Sequence, residues 1–173
     1  MEIERKYLVA SLPDNLDACP HVEIEQGYLC TSPTLRIRRA GDLYWLTVKE
    51  NVRVMDSSPC QGEVSEGRRG VSAIQNREEE FRLTADRYAH LRAKCDGNLV
   101  HKTRYKIPLD GGLTAELDLF HGVHQGLQLV EVEFPDTASA DAFVPPAWFG
   151  LDVSQDPRYR NSWLSMNNNI PTI

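Results

Sequence analysis

The sequence predicts an α+β fold: an eight-stranded antiparallel closed β-barrel, a tunnel with a charged lumen and helices packed outside. Three observations predict it. Eight segments read as strands, several so closely spaced that antiparallel neighbours are favoured. In seven of them charged residues fall at alternate positions, which a pleated strand places on one face. Within a strand these rows are mostly of one sign, whereas a face that only solubilises would mix signs, because like charges two residues apart repel. Closing eight strands into a barrel removes the exposed edges and turns the rows towards a common lumen.

The first strand, 2–9, sets Glu2, Glu4 and Lys6 against Ile3, Arg5 and Tyr7. The second, 23–30, contains "QGYL". In the third, 34–40, Arg36 and Arg38 oppose Leu35 and Ile37, and in the fourth, 43–50, Lys49 and Thr47 oppose Val48 and Leu46. In 77–83, Glu78 and Glu80 oppose Phe81 and Leu83, with Glu79 on that second face. The strand 98–107 presents Lys102, Arg104 and Lys106 opposite Tyr105 and Ile107. The last two, 114–120 and 128–134, carry Glu116 and Asp118, then Glu131 and Glu133. "AGD" at 40–42 and "LDGG" at 109–112 are turn signals.

Helices are expected at 84–96, about 137–143, and near 160–166. Thr84 can cap the first, Tyr88, Leu91 and Cys95 share a face, and Gly97 can end it. The second stops before Pro145 and Pro146. Residues 51–76, rich in Ser, Gly and charge without apolar periodicity, read as a long surface loop between two strands. Arg68 and Arg69 lie in it, as does Cys60, which has no nearby base to mark it as a nucleophile.

A chain of 173 residues suits one domain spanning 1–173. The net charge of −6 argues against a nucleic-acid partner, though not against a small anion met by local positive charge. No apolar run approaches the roughly 20 residues that span a membrane, and the N-terminus shows no signal-peptide pattern. An outer-membrane barrel fits poorly, because Arg5 and Glu79 would face lipid. Cys19, Cys30, Cys60 and Cys95 are scattered with no CxxC pair, which points to a reduced, cytoplasmic protein.

Unpaired buried ions cost several kcal/mol each, so a lumen holding these rows must be wet and filled with ligand. Acid pairs suit hard divalent cations such as Mg²⁺ or Mn²⁺. The bases suit a polyanion, with Arg forks matched to phosphate oxygens. A metal-bound polyphosphate satisfies both.

The string "EIERKYLV" resembles the ExExK signature of the CYTH superfamily, the triphosphate tunnel metalloenzymes. The likeness extends in order through "QGYL", "LRIRR", "LTVK", "REEEF", "KTRY", "ELDLF", "LVEVEF", "PPAWFG" and "RYRN", covering nearly the whole chain outside 51–76. It implies an eight-stranded tunnel binding a triphosphate and a divalent metal, and often a homodimer. By motif, Glu2 and Glu4 match the first acid pair and Lys6 its lysine. Arg36, Arg38, Lys49, Lys102 and Arg104 match the phosphate-binding bases. Glu78, Glu80, Glu116, Asp118, Glu131 and Glu133 match the remaining acids.

The leading functional reading is metal-dependent hydrolysis of a triphosphate, inorganic triphosphate first, with positioning and charge neutralisation as the protein's main contribution. Glu2, Glu4, Glu131 and Glu133 are the first-choice metal ligands, followed by Asp118. Lys6 is either a base, with Tyr28 as its partner on an adjacent strand, or one more phosphate clamp. Rival readings are a class IV-type adenylate cyclase, a thiamine or nucleoside triphosphatase, and a non-catalytic polyphosphate-binding module. A cyclase needs an adenine pocket, and Trp45, Trp148 and Phe149 read as packing. His121 and His124 are expected at the surface and His101 away from the lumen. Arg158, Tyr159 and Arg160 are expected near a tunnel end, either meeting substrate or belonging to a capping helix or loop.

Overall fold

The computed structural model describes residues 3–54 and 73–172. Glu2, Cys60, Arg68 and Arg69 lie outside the described residues. The strands are β1 (Ile3–Val9), β2 (His21–Thr31), β3 (Thr34–Ala40), β4 (Leu43–Val54), β5 (Ala73–Arg82), β6 (Asp96–Pro108), β7 (Thr114–His121), β8 (Gln128–Phe134) and β9 (Phe149–Asp152). The helices are α1 (Ala85–Arg92), α2 (Thr137–Ala142) and α3 (Asn161–Met166).

All nine strands form one antiparallel sheet in the order β5-β4-β3-β2-β6-β7-β8-β1-β9. The closed eight-stranded barrel is therefore a wrong expectation: among the described residues β5 and β9 are end strands, and no ladder joins them. The cause is a ninth strand that alternation did not reveal, being four residues long and bare of charge until Asp152. A strand has two hydrogen-bonding edges. On β1, one edge pairs with β8 and the other with β9, through Tyr7↔Asp152 and Val9↔Phe149. Beside Lys6 that second edge is also occupied by Val153, whose N–H donates to the Lys6 carbonyl at 2.8 Å, and by Ser154, whose Oγ accepts from the Lys6 N–H at 2.9 Å. Along this stretch β1 has no edge left for β5.

The expected loop at 51–76 is corrected at both ends, and residues 55–72 lie outside the described residues. β4 and β5 pair down to Val54↔Ala73, so residues 51–54 and 73–76 are strand. The first helix also ends sooner than expected. Thr84 caps it, accepting from the Arg87 N–H at 3.4 Å, but Asp96 already begins β6, with Gly97 at φ 66° inside that strand.

Two apolar clusters lie on opposite faces of the sheet. Tyr7, Leu117, Val130, Val132 and Phe134 form the outer one, closed over by Ala140 of α2 and by Phe149, with Trp148 packed against it. Tyr88 of α1 stands over the same outer side, its hydroxyl donating to Glu25 Oε1 at 3.0 Å. The second cluster joins Val100, Phe120 and Leu129 to Val153, Tyr159 and Leu164. By alternation these three strand residues share the face of Lys102, Asp118 and Glu131. So α1 and α2 pack outside as expected, whereas α3 packs against the charged face and plugs one end of it. Its approach is close: a Cβ on Gly97 would stand 2.3 Å from the Ser165 carbonyl oxygen.

Candidate active site

The charged rows meet. Residues from both ends of the sheet line one cavity of about 870 Å³, so the open sheet curls around it. Its lining includes Glu4, Lys6, Tyr28, Arg36, Arg38, Lys49, Glu78, Glu80, Lys102, Arg104, Glu116, Glu131 and Glu133. Asp118 lies just beneath, 1% exposed. The sequence thus brings every described candidate residue to one place, and alternation is the reason.

On one wall, cross-strand pairing sets Lys106, Glu116, Glu131 and Lys6 side by side across β6, β7, β8 and β1. Lys6 Nζ meets Glu131 Oε1 at 2.8 Å and the Tyr159 carbonyl at 3.4 Å. Arg104 forks onto Asp118, Nε to Oδ1 at 2.7 Å and Nη2 to Oδ2 at 2.6 Å. Its Nη2 also donates to Glu131 at 2.7 Å, and its Nη1 donates to Glu116. Lys102, 2% exposed, reaches Asp118 Oδ2 at 2.5 Å. Burial opposes the charge on Glu131, yet Lys6, Lys102 and Arg104 outweigh it and hold the carboxyl far below its usual range. Burial likewise opposes Arg104, and Asp118, Glu131 and Glu116 more than offset it. For Lys102 burial wins, and its ammonium is held below its ordinary value despite Asp118.

The facing wall is less saturated. Tyr28, Arg36, Thr47 and Glu80 form a row across β2, β3, β4 and β5. Arg36 Nη2 donates to Thr47 Oγ1 at 3.2 Å, and Thr47 donates to Glu80 at 3.0 Å. The guanidiniums of Arg36 and Arg38 share this one carboxylate at 3.7 and 3.5 Å. The Nε atoms of both are buried with no hydrogen-bond partner. Burial, then the charge of Arg36, makes Arg38 easier to deprotonate than an ordinary arginine. Lys49 meets Glu78 at 2.8 Å.

Tyr28 and Lys6 are not on adjacent strands as expected: β6, β7 and β8 stand between β2 and β1 in the sheet. Tyr28 accepts from Gln26 Nε2 at 3.1 Å, and burial pushes its phenol up to about 12. At neutral pH it is a hydrogen-bond donor and not a base.

Among the described residues, no three His, Cys, Asp or Glu groups are gathered as a preformed metal cage. The donor chemistry nevertheless fits a hard divalent ion. Glu4 and Glu133 are direct partners in the β1–β8 ladder, and both are exposed to the cavity they line. Mg²⁺ typically takes one or two carboxylates, completing its shell with substrate phosphates and water.

Several lining residues were not singled out from sequence as site residues. Lys106 continues the alternation of Lys102 and Arg104 and was legible in principle. Gln26 and Thr34 have no charge to mark them. Asn161 and Ser162 enter from the start of α3, where no strand period applies, beside Arg160, which the sequence places near a tunnel end with substrate contact as one alternative. Of the histidines, His101 faces outwards onto Glu25 at 3.6 Å. His121 binds Thr103 Oγ1 at 2.7 Å, and His124 is fully buried instead of lying at the surface.

No family model matches the chain. Whole-length relatives do. The inorganic triphosphatase of Nitrosomonas europaea is 39% identical over 171 residues, covering 96% of this chain and 97% of that protein. The inorganic triphosphatase of Acetivibrio thermocellus is 30% identical, covering 96% and 94%. This chain belongs to the CYTH superfamily of triphosphate tunnel metalloenzymes. Solved CYTH structures agree: that of the inorganic triphosphatase NE1496 matches with a TM-score of 0.68 at 35% identity, covering 99% of this chain and 97% of that one. HpAC1 from Hippeastrum, at 15% identity and a TM-score of 0.53 over 82% of this chain and 83% of that one, shares the CYTH fold. Among the described residues no helix is long and apolar enough to cross a membrane.

Proposed function

We propose that this protein hydrolyses inorganic triphosphate in a divalent-metal-dependent reaction, transferring a phosphoryl group to water inside the cavity. One observation carries the reading: Arg36 and Arg38, half-buried on one wall of the cavity, have only one carboxylate between them, Glu80 at 3.7 and 3.5 Å, and face a wall of carboxylates. A phosphate chain supplies the missing negative charge. The whole-length relatives named inorganic triphosphatase support the substrate.

Arg36, Arg38 and Lys49 would hold the chain, with Tyr28 donating its O–H to a phosphate oxygen. Lys102 and Arg104 would act mainly as framework, since each is tied to Asp118, fixing the carboxylate wall in the geometry the reaction needs. Lys6 fits a clamp better than a base, because Glu131 and the Tyr159 carbonyl already engage its ammonium. Glu4 and Glu133 would hold Mg²⁺ or Mn²⁺, with Glu2 added by motif and Glu131 and Glu116 supporting from the next row. When bound, the ion neutralises phosphate charge and polarises the phosphoryl group. Glu78 and Glu80 would anchor Lys49 and the arginine pair, a holding role instead of metal ligation. Free thiols at Cys19, Cys30 and Cys95 suit a reduced, cytoplasmic setting.

The test is turnover. Purified protein is incubated with triphosphate, thiamine triphosphate or ATP, with Mg²⁺, with Mn²⁺ or with chelator. Phosphate released from triphosphate, abolished by chelator, is the expected result. Cyclic AMP from ATP, or tight binding with no release, would replace it with the cyclase or the binding-module reading.

A further inference from the structure

We infer that Thr47, sealed beneath the arginine pair, is a positioning residue whose hydroxyl sets Arg36 and Glu80 in the arrangement that receives the phosphate chain. The inference rests on the triphosphate reading of the same cavity. Thr47 is 0% exposed, so it is closed off from solvent and from anything in the cavity. Cross-strand pairing sets it directly between Arg36 of β3 and Glu80 of β5. Its Oγ1 accepts from Arg36 Nη2 at 3.2 Å and donates its single proton to Glu80 Oε1 at 3.0 Å. That carboxylate oxygen is the one both guanidiniums share, yet they stand 3.7 and 3.5 Å from it, longer than an ordinary hydrogen bond. Among the described residues, Thr47 is therefore the close hydrogen-bond donor that fixes Glu80.

Packing alone does not ask for a hydroxyl at this position. A β-branched side chain suits the strand, and valine has nearly the same shape. Burying a hydroxyl costs free energy unless it is hydrogen-bonded, so an apolar residue is the simpler filling. The Thr47 hydroxyl finds both of its partners in residues that line the cavity. Its chemistry fits the task, because a hydroxyl accepts and donates at once. As a neutral acceptor it orients Arg36 without neutralising it, and the guanidinium keeps its charge for phosphate. Lys49, two residues along the same face, is the contrast: it meets Glu78 directly at 2.8 Å.

The experiment compares the full-length protein with Thr47→Val and Thr47→Ser in steady-state hydrolysis of triphosphate with Mg²⁺. Thermal unfolding is measured alongside. Losing a hydrogen bond to charged groups predicts that Thr47→Val raises KM by about 10-fold, with kcat changed far less. Thr47→Ser, which keeps the hydroxyl, should recover most of that loss. The melting temperature of Thr47→Val should hold, because Arg36 and Glu80 line the cavity, where water can take the bonds that Thr47 gave up. A KM within twofold of wild type in Thr47→Val overturns the inference. So does a loss that Thr47→Ser shares in full, or one that falls on kcat and tracks a lowered melting temperature. Should Thr47→Val fail to fold, Thr47→Ala against Thr47→Ser makes the same comparison. If the wild-type protein releases no phosphate, the triphosphatase reading itself fails. Calorimetric titration of wild type and Thr47→Val with triphosphate and Mg²⁺ then judges Thr47 separately, and equal affinities overturn its role.

Discussion

Arg36 and Arg38 sit two residues apart on one face of β3, where burial and the neighbouring charge of Arg36 make Arg38 easier to deprotonate, with a single shared carboxylate between them. Removing one should cost binding without costing stability. Arg38→Met is expected to lower kcat/KM for triphosphate by about 10- to 100-fold, while the ligand-free melting temperature stays level or rises. Calorimetry and steady-state kinetics on the same preparation check both halves. Glu131 behaves oppositely. Its folded carboxyl titrates below the unfolded value of about 4.3, because Lys6, Lys102 and Arg104 surround it. Its stabilisation is present in full above that value and is lost as pH falls below it towards the folded pKa. Urea midpoints between pH 6 and pH 3 should fall steeply in wild type and more shallowly in Glu131→Gln, which starts less stable. At this scale the sequence was informative: the charged rows it picked out line one cavity. Which cations were already committed to carboxylates was not legible, because that depends on partners such as Lys102 and Asp118 meeting across two strands.

Among the elements, β9 and α3 decide most. Four residues with a single charge, at Asp152, carry too little pattern to be read as a strand, yet by occupying β1 they stop the sheet from closing. α3 is six residues long, and its inward side became legible only through the cluster it forms with Val100, Phe120 and Leu129. Gly97 is where its packing is tightest. A methyl group there meets the Ser165 carbonyl oxygen at 2.3 Å, on a backbone at φ 66° that side chains rarely adopt. Gly97→Ala is therefore expected to destabilise by about 1–3 kcal/mol and to raise KM by shifting the segment that plugs the cavity. Chemical denaturation and kinetics would show it; an unchanged midpoint would mean that the plug shifts freely. The strands from β1 to β8 were legible because period-two alternation is a local property. The extensions of β4 and β5 into 51–54 and 73–76 were not, because those residues pair through main-chain hydrogen bonds that composition does not report.

Among the described residues the molecule is an open sheet curled around charge, one wall largely neutralised by its own ion pairs and the other with two arginines sharing one carboxylate. Such a cavity should be stabilised by its ligand. Triphosphate and Mg²⁺ together, at about 100 times the dissociation constant, are expected to add about 2.7 kcal/mol, several degrees in melting temperature for a chain of this size. Each added alone should do less, since the anion answers only the arginines and the metal only the carboxylates. Differential scanning fluorimetry under the three conditions tests this, and an additive response of two independent sites would contradict a shared one.

By itself the sequence determined the strands β1 to β8, the faces their side chains take and the chemistry those faces require, because alternation and charge act over a few residues at a time. Only the tertiary structure decided that the sheet stays open, that α3 plugs the charged face, and which cations remain available. Those outcomes depend on which distant segments take each strand edge and each carboxylate, and every edge or carboxylate has only so many bonds to give.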